Sequence, residues 1–366
     1  MMTGIYVHIP FCKSKCNYCD FYSVCNEELQ ESYFRRLYEE ISSYKKYGEI
    51  KVDTIFFGGG TPSFVNEKYI LKTLEEIYKV FDVKKNSEIT LEANPRTFSK
   101  DKLRAYINNG VNRISMGLQS ANDDELKKIG RLHTKEEFLR AYNDVREVGF
   151  SNVNTDIIYG LMSSNVESLL KTAQFVKELN CEHISAYALT ISENTPLYKM
   201  DYLYPDDDEV YAQYKFLCSS FRDFRHYEIS NFGKKVCRHN MKYWDMSDYI
   251  GFGAGAYSYF MGERFSNICD IEEYIKKENP IAEKEKRDNF DELNEAIMLS
   301  LRTDIGLDAV KLNEKYGYDI IKEKGSYIES LIKNGYAKKG ENGFSLTDDG
   351  FFVSNSVISR LIVDKK

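Results

Sequence analysis

No apolar run in these 366 residues approaches the ~20 that a membrane-crossing helix needs; the longest candidates, such as 297–301, are far shorter. The start, Met1-Met2-Thr3-Gly4-Ile5-Tyr6, has neither the basic stretch nor the long apolar stretch of a secretion signal. Both absences predict a soluble, cytoplasmic chain without an integral membrane segment. Positive charge is in deficit, 50 Lys+Arg against 57 Asp+Glu for a net of −7, which argues against nucleic acid as a partner. Trp occurs once and His five times. What is present is a globular balance, 42% hydrophobic and 29% charged, which excludes a disordered or fibrous chain. The 28 Tyr and 22 Phe can fill a core or line a slot for a flat ligand. The length suits one large domain plus a smaller one.

Eight cysteines are present, and a disulfide framework is not expected in a cytosolic chain of this size. Cys25, Cys181, Cys218, Cys237 and Cys269 are scattered and read as small buried residues or inert thiols. The other three are spaced C-x3-C-x2-C in Phe11-Cys12-Lys13-Ser14-Lys15-Cys16-Asn17-Tyr18-Cys19. That spacing places three soft ligands on one tight loop, suited to zinc, copper(I) or iron–sulfur. A structural zinc site would need a fourth ligand, and only Cys25 and His8 are nearby. Three thiolates with one open position suit a [4Fe–4S] cluster. Phe11, Tyr18, Phe21 and Tyr22 are expected to cover the loop on both sides.

Around this loop the chain alternates. Ile5-Tyr6-Val7-His8-Ile9-Pro10 reads as a strand stopped by Pro, and a helical spacing of Leu29, Tyr33, Leu37, Ile41 and Tyr44 follows. Further strands are predicted at 54–57, 88–93, 113–118, 152–158 and 183–189. Helices are predicted at 67–80, 100–108, 123–128, 135–148 and 166–179, with Gly110 and Gly149 just past two helix ends. This pattern predicts an α/β fold whose parallel sheet curls toward a barrel, with chemistry at the C-terminal ends of the strands. The cysteine loop follows the first strand. Gly58-Gly59-Gly60-Thr61-Pro62, Glu92-Ala93-Asn94-Pro95, Gly117-Leu118-Gln119-Ser120 and Asp156-Ile157-Ile158-Tyr159-Gly160 end later strands on that same face. Adjacent glycines let a backbone approach a ligand closely.

C-x3-C-x2-C after a first strand, then GGGTP after the second, resembles the radical S-adenosylmethionine (SAM) superfamily. The runs YVHIPFCKSKCNYCDFYS, FFGGGTPS, LEANP, GVNRISMGLQS, GRLH, NTDIIYGL, EISNFGKKVCRHNMKYW and DYIGFGAGAYS resemble, in order, the oxygen-independent coproporphyrinogen III oxidase family over about residues 5–260. The oxidase proper has a further Cys two residues after the third ligand, where Phe21 stands here. It also has an N-terminal extension, for which a strand starting at Ile5 leaves no room. Both departures match the HemW-type branch, regarded as heme chaperones. Tyr257 departs the other way, standing where that branch usually has His.

The resemblance implies a partial (β/α)6 radical-SAM barrel and a set of roles. Cys12, Cys16 and Cys19 would bind a [4Fe–4S] cluster whose fourth iron takes SAM. Tyr6 and the backbone near Tyr18 would lie against the cofactor, Gly59, Gly60 and Thr61 would meet its amino group, and Glu92 would hold its ribose or amine. Gln119, Arg131, Asp156 and Ala188 match positions that hold a second SAM in the oxidase, so one or two SAM are expected. Tyr257 is a further SAM contact. Heme needs a flat slot and usually one axial ligand. His239, with Tyr243 and Trp244 close by in sequence, is the first candidate. His8 reads as a cluster-side or core residue, His133 as a capping or SAM-side one, and His183, opening a strand, and His226, preceding one, as structural.

From about Asp291, helices at 292–301, 307–316 and 327–334, a hairpin at 336–346 turning on Asn342-Gly343 and a last helix at 351–362 predict an α+β winged-helix-like domain. The expected division is 1–290 and 291–366. Such modules often bind DNA, but 290–366 holds 11 Lys+Arg against 13 Asp+Glu, which disfavours a phosphate partner and favours a lid or docking surface. The implied function is a heme chaperone passing heme to an acceptor protein. The alternatives are radical decarboxylation of coproporphyrinogen III and a cysteine–zinc structural module.

Overall fold

A computed structural model of the chain describes residues 2–200 and 202–364. Six strands, β1 Thr3–Ile9, β2 Lys51–Gly59, β3 Asp82–Ala93, β4 Arg113–Gln119, β5 Val153–Tyr159 and β6 His183–Ala188, lie side by side in chain order. All five pairings between them are parallel. Parallel neighbours need a crossover, and helices supply it: α1 Gln30–Ser43, α2 Glu67–Val80, α3 Lys100–Asn108, α4 Asp123–Lys128, α5 Lys135–Val148 and α6 Val166–Leu179. This is the expected partial (β/α)6 scaffold. The strands bury both faces, so they read as apolar runs: Ile5, Val7, Ile55, Phe57, Leu91, Ile114, Met116 and Ile184 are all fully buried or nearly so.

Local chemistry sets the boundaries. Pro10 has no N–H to continue a ladder, and β1 stops at Ile9. A capping box between Thr134 and Glu137 starts α5, and Gly149 ends it at φ 112°, a left-handed turn that a Cβ would oppose.

The sheet continues on both sides. Past β6, beyond α7 Asp207–Ser220, lie β7 Arg225–Glu228 and β8 Asn231–Gly233. After α8 Arg238–Trp244, β9 Tyr249–Phe252 pairs in parallel with β1, and β10 Tyr257–Phe260, β11 Glu263–Asn267 and β12 Ile281–Glu285 extend that edge, with α9 Ile271–Lys276 between the last two. His226 lies inside β7 rather than ahead of a strand.

The winged-helix-like part has its own apolar core, including Leu293, Ile297, Leu331, Phe344 and Ile358. It comprises α10 Asn289–Ser300, β13 Leu307–Asp308, α11 Ala309–Tyr316, α12 Ile320–Lys333, β14 Ala337–Lys339, β15 Gly343–Leu346, α13 Asp348–Phe352 and α14 Ser354–Leu361. Four details differ from the sequence reading. Leu307 starts a short strand, because it pairs with Phe344. The helix expected at 327–334 begins at Ile320, capped by Asp319. The hairpin turns on Glu341-Asn342, since Gly340 N donates to Gly343 O (2.9 Å). The last helix is broken at Val353, which lets Phe351 and Val357 share one core.

Candidate functional site

The C-terminal ends of β1–β6 open into one cavity of about 760 Å³. Its roof is the cysteine loop. The loop's root is fixed by Cys12 N donating to Val24 O (3.0 Å) and Val24 N to Pro10 O (2.6 Å). Its far side is tied down by Asn17, which donates from N to Ile129 O (3.0 Å) and from Nδ2 to Lys128 O (3.0 Å). Cys12, Cys16 and Cys19 all line the cavity and are partly exposed. Burial pushes the Cys12 thiol up, and the Cys19 thiol up to about 11.

The glycine run at the end of β2 fits beneath the loop. Gly60 N donates to Ile9 O and Thr61 N to Phe11 O (2.9 Å each). A Cβ on Gly60 would stand 2.9 Å from Phe11 O, and one on Gly59, at φ 111°, would stand 2.6 Å from the His8 ring. Neither position admits a side chain without moving the loop root or His8. Thr61 Oγ1 lies 3.5 Å from Cys12 Sγ and accepts from Asn94 Nδ2 (3.0 Å).

The strand-end polar residues meet on the cavity wall. Arg131 donates from Nη2 to Asn94 Oδ1 (2.6 Å) and Gly117 O (3.0 Å), and its Nη1 lies 3.7 Å from Cys16 Sγ. Asp156 accepts from Asn154 Nδ2 (2.7 Å) and Ser115 Oγ (3.3 Å). Burial raises its pKa and pushes the Glu92 carboxyl up to about 8, with Asp156 adding repulsion. Gln119 ends β4 with φ 64°, and its Oε1 is buried with no hydrogen-bond partner among the described residues; the same holds for Arg131 Nε. Buried polar atoms without partners are rare in folded proteins, and on a cavity wall they mark where a polar ligand fits. Tyr6, Tyr18 and Ala188 line the same space. The Tyr6 hydroxyl is 3.1 Å from His8 Nδ1, and His8 Nε2 is 2.9 Å from Tyr22 O, so His8 is a positioning residue for the loop.

His239 is on the cavity wall, on α8. Glu88 of β3 holds that helix's start: its carboxylate accepts from Arg238 N (3.2 Å) and His239 N (3.1 Å). The His239 ring stacks on Phe56, with Nδ1 2.9 Å from Thr54 Oγ1 and Nε2 2.9 Å from Tyr243 Oη. Both ring nitrogens are thus engaged, and binding an iron through Nε2 would require giving up Tyr243.

Three expectations are corrected. Tyr257 is not in this cavity; it is 62% exposed on β10 and faces a separate, shallower one. The strand order explains this, because β9 separates β10 from β1. The aromatic cover of the loop is uneven. Phe11 is fully buried against Tyr33 and Phe34, whereas Phe21 is 66% exposed at the cavity's edge. Of the scattered cysteines, Cys181 and Cys237 are buried, but Cys25 and Cys269 are exposed. Several wall residues escaped the sequence reading, Asn94 and Arg113 among them. Asn94 joins Thr61 to Arg131 and stands beside Glu92 in sequence, so the strand-end motif carried the signal. Arg113 is fully buried on the wall, and a charged residue at a strand start gives no such signal.

Comparison with known proteins places these features in context. The radical SAM superfamily profile matches residues 6–176. The chain is 32% identical to the heme chaperone HemW of Bacillus subtilis (strain 168), covering 99% of both chains. It is 36% identical to heme chaperone HemW of Escherichia coli (strain K12), covering 69% of both. Among solved structures, E. coli coproporphyrinogen III oxidase (HemN), a radical SAM enzyme, superposes with a TM-score of 0.86 at 20% identity, covering 99% of this chain and 90% of that one. At that identity the likeness is one of fold.

Proposed function

We propose a function from one premise: the chain belongs to the HemW family of the radical SAM superfamily. The protein is then a heme chaperone, binding heme and passing it to an acceptor protein, on a scaffold that carries a [4Fe–4S] cluster and SAM. The observation that carries this reading is the convergence of Cys12, Cys16 and Cys19 on the cavity that Gly60, Glu92, Gln119, Arg131 and Asp156 also line. Three thiols on one loop leave a cluster iron open. Gly60 lets the end of β2 pack directly under the cysteine loop, and the unpartnered Gln119 Oε1 and Arg131 Nε are spare polar atoms for an amino acid and nucleoside ligand. The residues therefore fit both groups. When bound, cluster and SAM together supply electron transfer to a sulfonium.

The chain's own residues bind, orient and shield. Cys12, Cys16 and Cys19 ligate iron. Tyr6, Tyr18, Gly59, Thr61 and Glu92 hold SAM. Gln119, Arg131, Asp156 and Ala188 extend the wall for a second SAM. At neutral pH Glu92 keeps its proton, because burial and the nearby Asp156 push its pKa up to about 8, until a cation beside it favours ionisation. Heme, the cargo, lies against the part of the cavity walled by His239, Tyr243 and Phe56. The sheet and its extension form the scaffold, and the winged-helix-like part, which starts with α10 at Asn289 rather than at 291, is a lid or docking surface.

The test uses anaerobically reconstituted protein with SAM and reductant. Heme is titrated in one cell, and coproporphyrinogen III is followed by chromatography in another. Stoichiometric heme binding without turnover is the expected result. Catalytic protoporphyrinogen formation would overturn it in favour of the oxidase, despite Phe21. In parallel, Cys12→Ser, Cys16→Ser and Cys19→Ser each lose the cluster's visible absorption, and unchanged absorption in any of them would remove that residue from the ligand set.

A further inference from the structure

Outside this cavity, one group of side chains has the composition of a metal site. Cys218 on α7, His226 on β7 and Asp348 at the start of α13 bring a sulfur, a ring nitrogen and a carboxylate oxygen within 4.8 Å of one another. Cys218 and His226 lie on consecutive elements, and Asp348 is 122 residues beyond His226. His226 is on an edge strand of the large sheet, Cys218 is on the helix before that strand, and Asp348 belongs to the winged-helix-like part.

The His226 ring is held firmly. It stacks on Phe232 at 4.1 Å between centroids and meets Phe351 edge-on at 5.2 Å, and its side chain is only 10% exposed. Nδ1 lies 2.8 Å from Asp348 Oδ1, while Nε2 is buried with no partner among the described residues. Asp348 is held as well, because Tyr214 Oη donates to its backbone oxygen (2.8 Å). The nearby ammonium of Lys215 is taken by Asp349 Oδ1 (2.5 Å), which also accepts from Tyr211 Oη (2.8 Å). The cation closest to the trio is therefore already neutralised. The Asp348 side chain is half-exposed, which leaves an entry path from solvent.

We propose that Cys218, His226 and Asp348 form a Zn(II) site that fastens the winged-helix-like part to the edge of the sheet. One thiolate, one imidazole and one carboxylate suit zinc, and three protein ligands leave a fourth position for water. Loading is balanced as an exchange: the Cys218 S–H bond breaks, its sulfur forms a bond to zinc, and the proton leaves to solvent. His226 keeps one ring proton on the nitrogen that does not take the metal.

The test uses protein whose cluster has been reconstituted first, so that Cys12, Cys16 and Cys19 are occupied. Zinc sulfate is added, excess metal is removed by desalting, and zinc is counted by elemental analysis alongside calorimetric titration. The expected result is one zinc per chain. Cys218→Ser and Asp348→Asn should each weaken it at least ~10-fold, and zinc should raise the melting temperature of the parent but not of these variants. Asp348 is exposed, so Asp348→Asn keeps the fold, and melting without zinc verifies this. No retained zinc in the parent would overturn the proposal. Zinc retained equally by parent and both variants would overturn it too.

Discussion

Glu228 is a carboxyl nearly without water. Burial pushes its pKa up to about 7, against the smaller pull of hydrogen bonds from Asn231 and the Ser230 backbone. The folded chain therefore holds this proton more tightly than the unfolded chain does. The stability it contributes is complete below the ordinary Glu range and is lost as pH rises through about 7. Replacing it by Glu228→Gln keeps the shape and removes the titration. Stabilities of parent and variant, measured by chemical denaturation from pH 5 to 8, should diverge in the variant's favour as pH rises, by up to a few kcal/mol. His8, His133 and His239, whose pKa values burial lowers, titrate in the opposite sense, but equally in both proteins, so they cancel in the difference. Parallel curves would mean that Glu228 is ionised in the folded state.

At the scale of elements, the site depends on how β2 ends against β1. Gly60 donates to Ile9 O, and no side chain separates it from the loop's first residues. In Gly60→Ala the new Cβ meets backbone, at 2.9 Å from both Phe11 O and Pro10 C, so the loop root must shift. The expected outcome is a lower iron content after reconstitution and a melting temperature reduced by the equivalent of about 1–3 kcal/mol. Full iron content in this variant would show that the loop tolerates the shift. Strand and helix identities were readable from local pattern. The spacing of apolar residues and the caps predicted helices over the same residues that α2, α3, α4, α5 and α6 occupy. Local pattern failed where pairing decides. Leu307 is a strand residue only because Phe344 lies opposite it.

For the whole molecule, the edge beyond β1 is fastened by one buried carboxylate. Glu40 of α1 accepts from Gly253 N (3.0 Å), Tyr274 Oη (2.5 Å) and Asn267 Nδ2 (2.6 Å), all more than 200 residues away in the chain. Arg36, one turn earlier, donates to Lys277 O (2.9 Å) and Glu278 O (2.6 Å). Removing the carboxylate leaves several buried donors without an acceptor, so Glu40→Ala should lose about 3–5 kcal/mol in chemical denaturation. Glu40→Gln, which keeps one acceptor, should lose less. A loss below about 1 kcal/mol in Glu40→Ala would mean that water replaces the carboxylate there.

The sequence alone determined the six strand–helix repeats, the cysteine spacing and the family, because each is written in residues close together along the chain. It also pointed to Gly60, Glu92, Gln119 and Asp156, since parallel strands deliver their C-terminal ends to one face, and to Arg131 through the family resemblance. Tertiary structure alone decided that Tyr257 faces elsewhere, that both nitrogens of His239 are engaged, and that Cys218 stands beside His226 and Asp348. These depend on strand order and on packing between distant segments, and neither leaves a periodic trace in the chain.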